Sequence, residues 1–310
     1  MLPQRSLGAT GPAVSVMSLG SWRTFERISR DEGLAVMRAA REAGITLLDD
    51  ARYDDETGTA PIPTGWSEVV FGELFHDAGW ERDAVTVCNK LWWEHWPDED
   101  AAAELDGSLE RMGLEHVDVI YAIAASTAPP VEVVVEQVAG LLRSGRARGW
   151  GTGMWSGRRL AAALDVCDIT GTPYPVAAQM ACSLADHDQS ADPQVNATLD
   201  RGGIGLVAAY ALAGGTLTGK YAFGATGRSA GDASPVSVRG KQIAVPLAAL
   251  AADWGVPTAH LAFAYALGHP HLATVLFGAT SADQVRANVA AVPTYDALDE
   301  AQRAAIAALA

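Results

Sequence analysis

Ile45-Thr46-Leu47-Leu48-Asp49 and, further along, Val85-Thr86-Val87-Cys88-Asn89-Lys90 are short β-type runs, apolar on both faces, and each ends on a charged residue. Strands of that kind belong to a parallel sheet buried on both sides. Val16–Gly20, Val117–Ile123, Ala147–Gly153, Val176–Gln179, Ile204–Tyr210 and Thr274–Gly278 read the same way, which makes eight. Between them Asp31–Ala43, Ala101–Met112, Val131–Arg143 and Gly157–Val166 carry apolar residues at three- and four-residue spacing, the period of amphipathic helices. Eight alternating units predict an α/β protein, a (β/α)8 TIM barrel, as a single domain over residues 1–310. A doubly wound sheet would carry a G-x-G-x-x-G turn after an early strand, and none follows Val16–Gly20 or Ile45–Asp49. Residues 5–15 predict an N-terminal β-hairpin turned at Ala9–Pro12, a candidate plug for the barrel bottom. Residues 221–240, rich in Gly, Ala and Ser, predict a long mobile connection, and Ala297–Ala310 an extra C-terminal helix.

The composition supports a large core: 49% of the residues are hydrophobic and 19% charged. The net charge of −15, with no long basic cluster, weighs against nucleic acid and anionic membrane surfaces as partners. Cys88, Cys167 and Cys182 form no zinc-type spacing, so they read as reduced thiols of a cytoplasmic protein without a metal. The N-terminus lacks an apolar stretch of signal-peptide length, and Asp253 and His260 interrupt the Ala-rich segment Ile243–Leu267. Among the 22 basic residues only Lys90, Lys220 and Lys241 are lysines, so a lysine at the end of a strand stands out.

In a barrel the chemistry lies at the C-terminal strand ends. There the sequence offers Asp49, Tyr53 and Lys90. Tyrosine titrates near pH ~10 when unperturbed, and an adjacent ammonium eases release of its proton. A carboxylate would hold that ammonium charged and oriented. Such a group can protonate a carbonyl oxygen while hydride reaches the carbon, which calls for a nicotinamide cofactor across the barrel mouth. Taken singly, each residue also has an ordinary reading, as helix cap, rim aromatic or surface charge.

Six segments resemble the aldo-keto reductases, most closely the branch of potassium-channel β subunits and their bacterial relatives. Gly44–Tyr53 is similar to GI-x-x-x-D-T-A-x-x-Y with one residue fewer before the tyrosine, Trp66–Gly72 to the S-E-x-x-x-G helix, and Val87–Lys90 to the strand bearing the lysine. Gly149–Ser156, Tyr210–Tyr221 and Gly278–Asn288 resemble G-x-S-N/R-W-S, Y-S-P-L-A-x-G-x-L-T-G-K-Y and G-A-S-x-x-x-Q-x-x-x-N. The resemblance runs from about Leu7 to Val292. It implies an NADP(H)-dependent oxidoreductase acting on a small molecule, with Tyr53 as proton donor, Lys90 lowering its pKa and Asp49 supporting Lys90. By the same resemblance the cofactor would be held by Ser21, Trp22, Gly153, Met154, Gln179, Tyr210, Ala211, Leu212, Ala213, Gly214, Lys220, Gly278, Ala279, Thr280, Gln284 and Asn288. Lys220 would face the phosphates, and Arg228 or Arg239 a 2′-phosphate. A helix start at Ser281 adds backbone N–H groups suited to a phosphate.

The departures are as informative. The family's strand-four histidine is replaced by Ile123, and loss of one such polar contact at a developing charge would cost ~2–4 kcal/mol. Gly153 and Met154 replace Ser and Asn or Arg, and Ala211 a serine. Leu91-Trp92-Trp93-Glu94-His95-Trp96 predicts an aromatic substrate wall beside Lys90, with Trp92 and Ile123 in the pocket and His95 a candidate stand-in for the missing histidine, ahead of His187. Asp49, Asp50, Asp54, Asp55 and Glu56 place five carboxylates within eight residues, a solvated loop or a site for a substrate cation or hard metal ion. Three functions follow as expectations: a working reductase of atypical site, a cofactor-binding sensor or partner protein with little turnover, and a barrel turned to non-redox acid–base chemistry.

Overall fold

The computed structural model of the chain describes residues 2–221 and 231–310. A two-stranded antiparallel hairpin, β1 (Gln4–Ser6) and β2 (Ala13–Ser15), precedes eight barrel strands. These are β3 (Met17–Gly20), β4 (Leu47–Asp49), β5 (Thr86–Leu91), β6 (Val117–Ile123), β7 (Ala147–Gly153), β8 (Ala177–Ala181), β9 (Gly205–Ala209) and β10 (Leu272–Phe277). They pair parallel in chain order, and β10 closes onto β3. Each falls where the doubly apolar runs predict it.

The helices are α1 (Arg30–Glu42), α2 (Trp66–Asp77), α3 (Ala101–Met112), α4 (Val131–Ser144), α5 (Gly157–Thr170), α6 (Pro193–Gly202), α7 (Pro235–Trp254), α8 (Thr258–Leu267), α9 (Ala282–Val289), α10 (Ala291–Ala297) and α11 (Glu300–Ala307). Local chemistry sets their starts. Ser29 and Glu32 form a reciprocal cap at α1, and Asp100, Ser156 and Asp192 accept backbone N–H groups at α3, α5 and α6. The expected terminal helix is α11, packed on α8. The connection expected over 221–240 is shorter than the composition suggested. Ser234 caps a helix that Pro235 begins, so 235–240 are already helical. Its residues 222–230, Arg228 among them, lie outside the described residues, and Arg239 sits on α7.

The hairpin plugs the barrel bottom. Leu7 and Val14, both fully buried, pack with Leu47, Val119, Tyr121, Val207 and Ala273 inside the barrel. Gly8 makes the close approach feasible: its φ is +73°, and a Cβ there would sit 2.4 Å from the Val176 carbonyl oxygen. At the other end the register aligns Gly20 with Asp49, Ile123 with Gly153 and Gly153 with Gln179. Those strand ends ring a single mouth. Among the described residues no helix is long and apolar enough to cross a membrane.

Candidate active site

A cavity of about 1020 Å³ opens at that mouth, with Asp49, Tyr53 and Lys90 among its lining residues. Lys90, at the end of β5, is 5% exposed and donates to Asp49 Oδ2 from the adjacent strand. Its Nζ lies 3.2 Å from Tyr53 Oη and 3.4 Å from the Asp50 carbonyl oxygen. Gln179 donates to the other Asp49 oxygen at 3.1 Å, so both carboxylate oxygens are engaged. Burial alone would push the Lys90 ammonium down, but the attraction of Asp49 and the hydrogen bonds to Asp49 and Tyr53 outweigh it and hold the group charged above its ordinary range.

As expected, Lys90 pulls the Tyr53 phenol down, through its charge and its hydrogen bond, but burial outweighs that pull. Burial strips water from the phenolate and Asp49 and Asp50 repel it, so the phenol is raised above its usual value while Lys90 offsets only part of the shift. Tyr53 therefore stays protonated across neutral pH.

Most of the residues named for the cofactor line the same cavity: Trp22, Gly153, Met154, Gln179, Tyr210, Ala211, Leu212, Gly214, Lys220, Gly278, Thr280, Gln284 and Asn288. Ser21, Ala213 and Ala279 do not. Each is 1% exposed, and Ser21 spends its hydroxyl on the Asp50 carboxylate. The Gln284 amide oxygen accepts from Thr280 N and Oγ1, closing the turn before α9. Arg23, Arg27, Thr24 and Asp186, which the sequence reading missed, line the cavity as well. Proximity to Trp22 was the available signal for Arg23. The others needed the fold.

Backbone strain gathers here. Among the described residues the non-glycine positions with positive φ are Arg23, Trp93, Met154, Tyr210 and Ala213, all in connections that follow barrel strands, and Arg23, Met154 and Tyr210 line the cavity. Such conformations cost about 1–3 kcal/mol each and concentrate at ligand sites.

The expected substrate wall is only partly assembled. Trp92 lines the cavity with its ring 6.1 Å from that of Tyr53, edge-on at 65°, whereas Trp93 is buried core against Trp96. The aromatic wall is thus one tryptophan. His95 is exposed and does not line the cavity, because the chain turns outward after Trp93. His187 points to the Ser183 carbonyl and the Tyr265 ring. The histidine's position has no imidazole substitute from either. Ile123 does line the cavity, and its Cδ1 lies 2.3 Å from where a Cβ on Gly153 would be. The two departures from the family pattern are one steric unit, since Ile123 occupies the space a side chain at 153 would need. Gly153→Ala is expected to cost about 1–3 kcal/mol where the overlap is not relieved. Rotation of Ile123 into the open cavity relieves it at the expense of substrate volume. Denaturant midpoints and KM for a bulky acceptor measure the two effects; no change in either refutes the coupling.

The acidic loop is tied internally. Asp55 accepts from Thr57 and Ala60, which pushes its carboxyl down to about 2, and Glu56 bridges Arg23 and Arg27 at 2.6 and 2.7 Å. Among the described residues no three His, Cys, Asp or Glu side chains gather as a metal cluster.

Asp50, standing where the motif has threonine, is fully buried behind Asp49. Its Oδ1 accepts from Ser21 and its Oδ2 has no partner. Burial, then repulsion by Glu68, holds its carboxyl well above the usual range. Stability from such a group is complete below its unfolded pKa, near ~4, and is lost as pH rises through the raised folded value. Asp50→Asn is therefore expected to gain on the wild type as pH increases from about 5 to about 8 in thermal unfolding. A gap that stays constant or narrows contradicts the assignment.

The aldo/keto reductase family model matches residues 16–310. The chain belongs to the aldo/keto reductase family. Two relatives are described as probable voltage-gated potassium channel subunit beta. The Oryza sativa subsp. japonica protein is 29% identical over 311 residues, covering 93% of this chain and 90% of its own length. The Arabidopsis thaliana protein is 27% identical over 312 residues with the same coverage. Family membership places this aldo/keto reductase among oxidoreductases that work with a nicotinamide cofactor on small molecules.

The residues present fit such a cofactor. The cavity exceeds what a small substrate alone needs. At its far end the backbone of Gly214 and Gly215 runs at φ +67° and +90° beside Lys220, a bare turn with a cation suited to phosphate. Gly278 lies where a Cβ would come within 3.0 Å of Thr24 Oγ1, so the lining there is kept low.

Proposed function

We propose that this chain is an NADP(H)-dependent reductase that transfers hydride to a carbonyl or related acceptor, with Tyr53 donating the proton. The observation that carries the reading is the Asp49–Lys90–Tyr53 chain of contacts on the cavity wall. A reduced nicotinamide bound in the mouth supplies the hydride. Tyr53 Oη holds its proton through neutral pH and gives it to the acceptor oxygen. The Lys90 ammonium, 3.2 Å away, steadies the phenolate as it forms. Asp49 keeps that ammonium charged and aimed, and Gln179 holds Asp49. Lys220 supplies positive charge for a cofactor phosphate, and Arg23 and Arg27, which share Glu56, lie on the same cavity wall where an added phosphate could compete for them. Trp22 and Tyr210, in tilted contact with ring centroids 6.0 Å apart, both line the mouth and would offer an aromatic surface to a nicotinamide. Three buried free cysteines suit a reducing, cytoplasmic setting.

Titration with NADPH and NADH, followed by single-turnover oxidation with a panel of aldehydes and ketones, tests the proposal. Tighter binding of NADPH and carbonyl-dependent oxidation are expected. Binding of neither nucleotide defeats it and favours non-redox acid–base chemistry. One observation favours a second reading, a cofactor-binding partner or sensor protein with little turnover: Ile123 leaves Tyr53 without a companion donor. The channel-subunit descriptions of the two plant relatives agree with that role. Tight NADPH binding without oxidation by any carbonyl would select it.

A further inference from the structure

We propose that Glu104 is a positioning residue that sets the substrate wall of this site, an inference that rests on the reductase reading. Glu104 lies in the first turn of α3, away from the cavity lining, and is 6% exposed. A buried carboxylate in that position is costly unless it is fully engaged. Its Oε1 accepts the Trp92 N–H at 2.7 Å and its Oε2 the Trp93 N–H at 3.2 Å. The two N–H groups belong to the residues at which the chain leaves the β5 ladder after Leu91. One carboxylate thereby fixes the turn, including the positive φ of Trp93, that presents the Trp92 ring edge-on to Tyr53.

The same carboxylate reaches the neighbouring loop. Arg52, adjacent to Tyr53 in sequence, lies 3.6 Å from Glu104 Oε1 and 2.7 Å from Glu94 Oε2. Glu104 therefore joins the loop that carries the proton donor to the loop that carries the aromatic wall. An apolar residue at 104 could fill the space, but it would leave two buried backbone donors unmet. A glutamine could accept only one of them, with its NH2 facing the other.

The test is Glu104→Gln, with Trp92→Ala and the double variant. Hydrogen exchange of the 91–96 segment is expected to speed up in Glu104→Gln, and NADPH affinity to stay within about twofold of wild type, since only the loop is released. For a bulky aromatic ketone, kcat/KM should fall about tenfold, chiefly through KM, whereas a small aldehyde that does not reach Trp92 should change less than about threefold. In the cycle the Glu104→Gln effect should vanish once Trp92 is Ala. Equal losses for both substrates, an additive cycle, or unchanged exchange overturn the inference while the reductase reading stands. Wild-type protein that reduces no carbonyl overturns the reading itself. Should Glu104→Gln fail to fold, Arg52→Met, which leaves both N–H bonds in place, is the second variant; loss of bulky-ketone selectivity there supports the link between loops, and its retention overturns it.

Discussion

Tyr53→Phe is expected to reduce carbonyl-dependent turnover by about 10²–10⁴-fold, the range that a positioned proton donor supplies, with NADPH binding unchanged. The substitution keeps the ring that packs against Trp92 and removes only the hydroxyl that faces Lys90 Nζ. It is cleaner than Lys90→Met, which would strand Asp49 as a buried, uncompensated carboxylate and cost about 3–5 kcal/mol of stability. Because burial raises the Tyr53 phenol above its ordinary value, the donor stays in its protonated form well into the alkaline range. Turnover of the wild type should therefore hold from neutral pH upward and not fall near the usual tyrosine value. Stopped-flow oxidation of NADPH across pH reads both effects. A Tyr53→Phe protein that keeps more than about a tenth of wild-type activity would remove Tyr53 from the proposed chemistry.

Ile123→His carries the second large effect. On the proposed reading the wild-type mouth sets Tyr53 as proton donor beside an isoleucine whose Cδ1 leans over Gly153. An imidazole at that strand end supplies a second donor where negative charge develops, and a single such donor is worth about 10²–10³ in kcat. The expected result is a rise in kcat toward that range for small aldehydes, with cofactor affinity unchanged. Bulky apolar acceptors should lose part of their KM advantage, because the aliphatic contact is gone. Steady-state kinetics with both substrate types measures the two changes together. A fall in kcat with small aldehydes would mean that Ile123 supports turnover by itself, and the idea of a site limited by a missing donor would be wrong.

Much of this was legible in the chain. Strand positions were readable because eight short segments must be apolar on both faces to stand between an inner core and an outer ring of helices, and Val117–Ile123 and Ala147–Gly153 match to the residue. The Asp49, Tyr53 and Lys90 set was readable because strand ends in a barrel share one mouth whatever their separation in sequence. The expectation that Ile123 stands where the family has a histidine rested on the family pattern alone. Other features gave no local signal. His95 follows Lys90 by five residues yet faces solvent, because the direction of a loop is decided by what anchors it, here Glu104 on α3.

The sequence by itself therefore determined the barrel, its open end and the chemical identity of the groups gathered there, since hydrophobic period and residue type are properties carried along the chain. Only the tertiary structure decided the burial of Tyr53, the contacts of Glu104, the burial of Asp50 and the steric partnership of Ile123 with Gly153. Each of these depends on how much water is excluded and on which distant atom fills a given space, and neither quantity is written in the order of the residues.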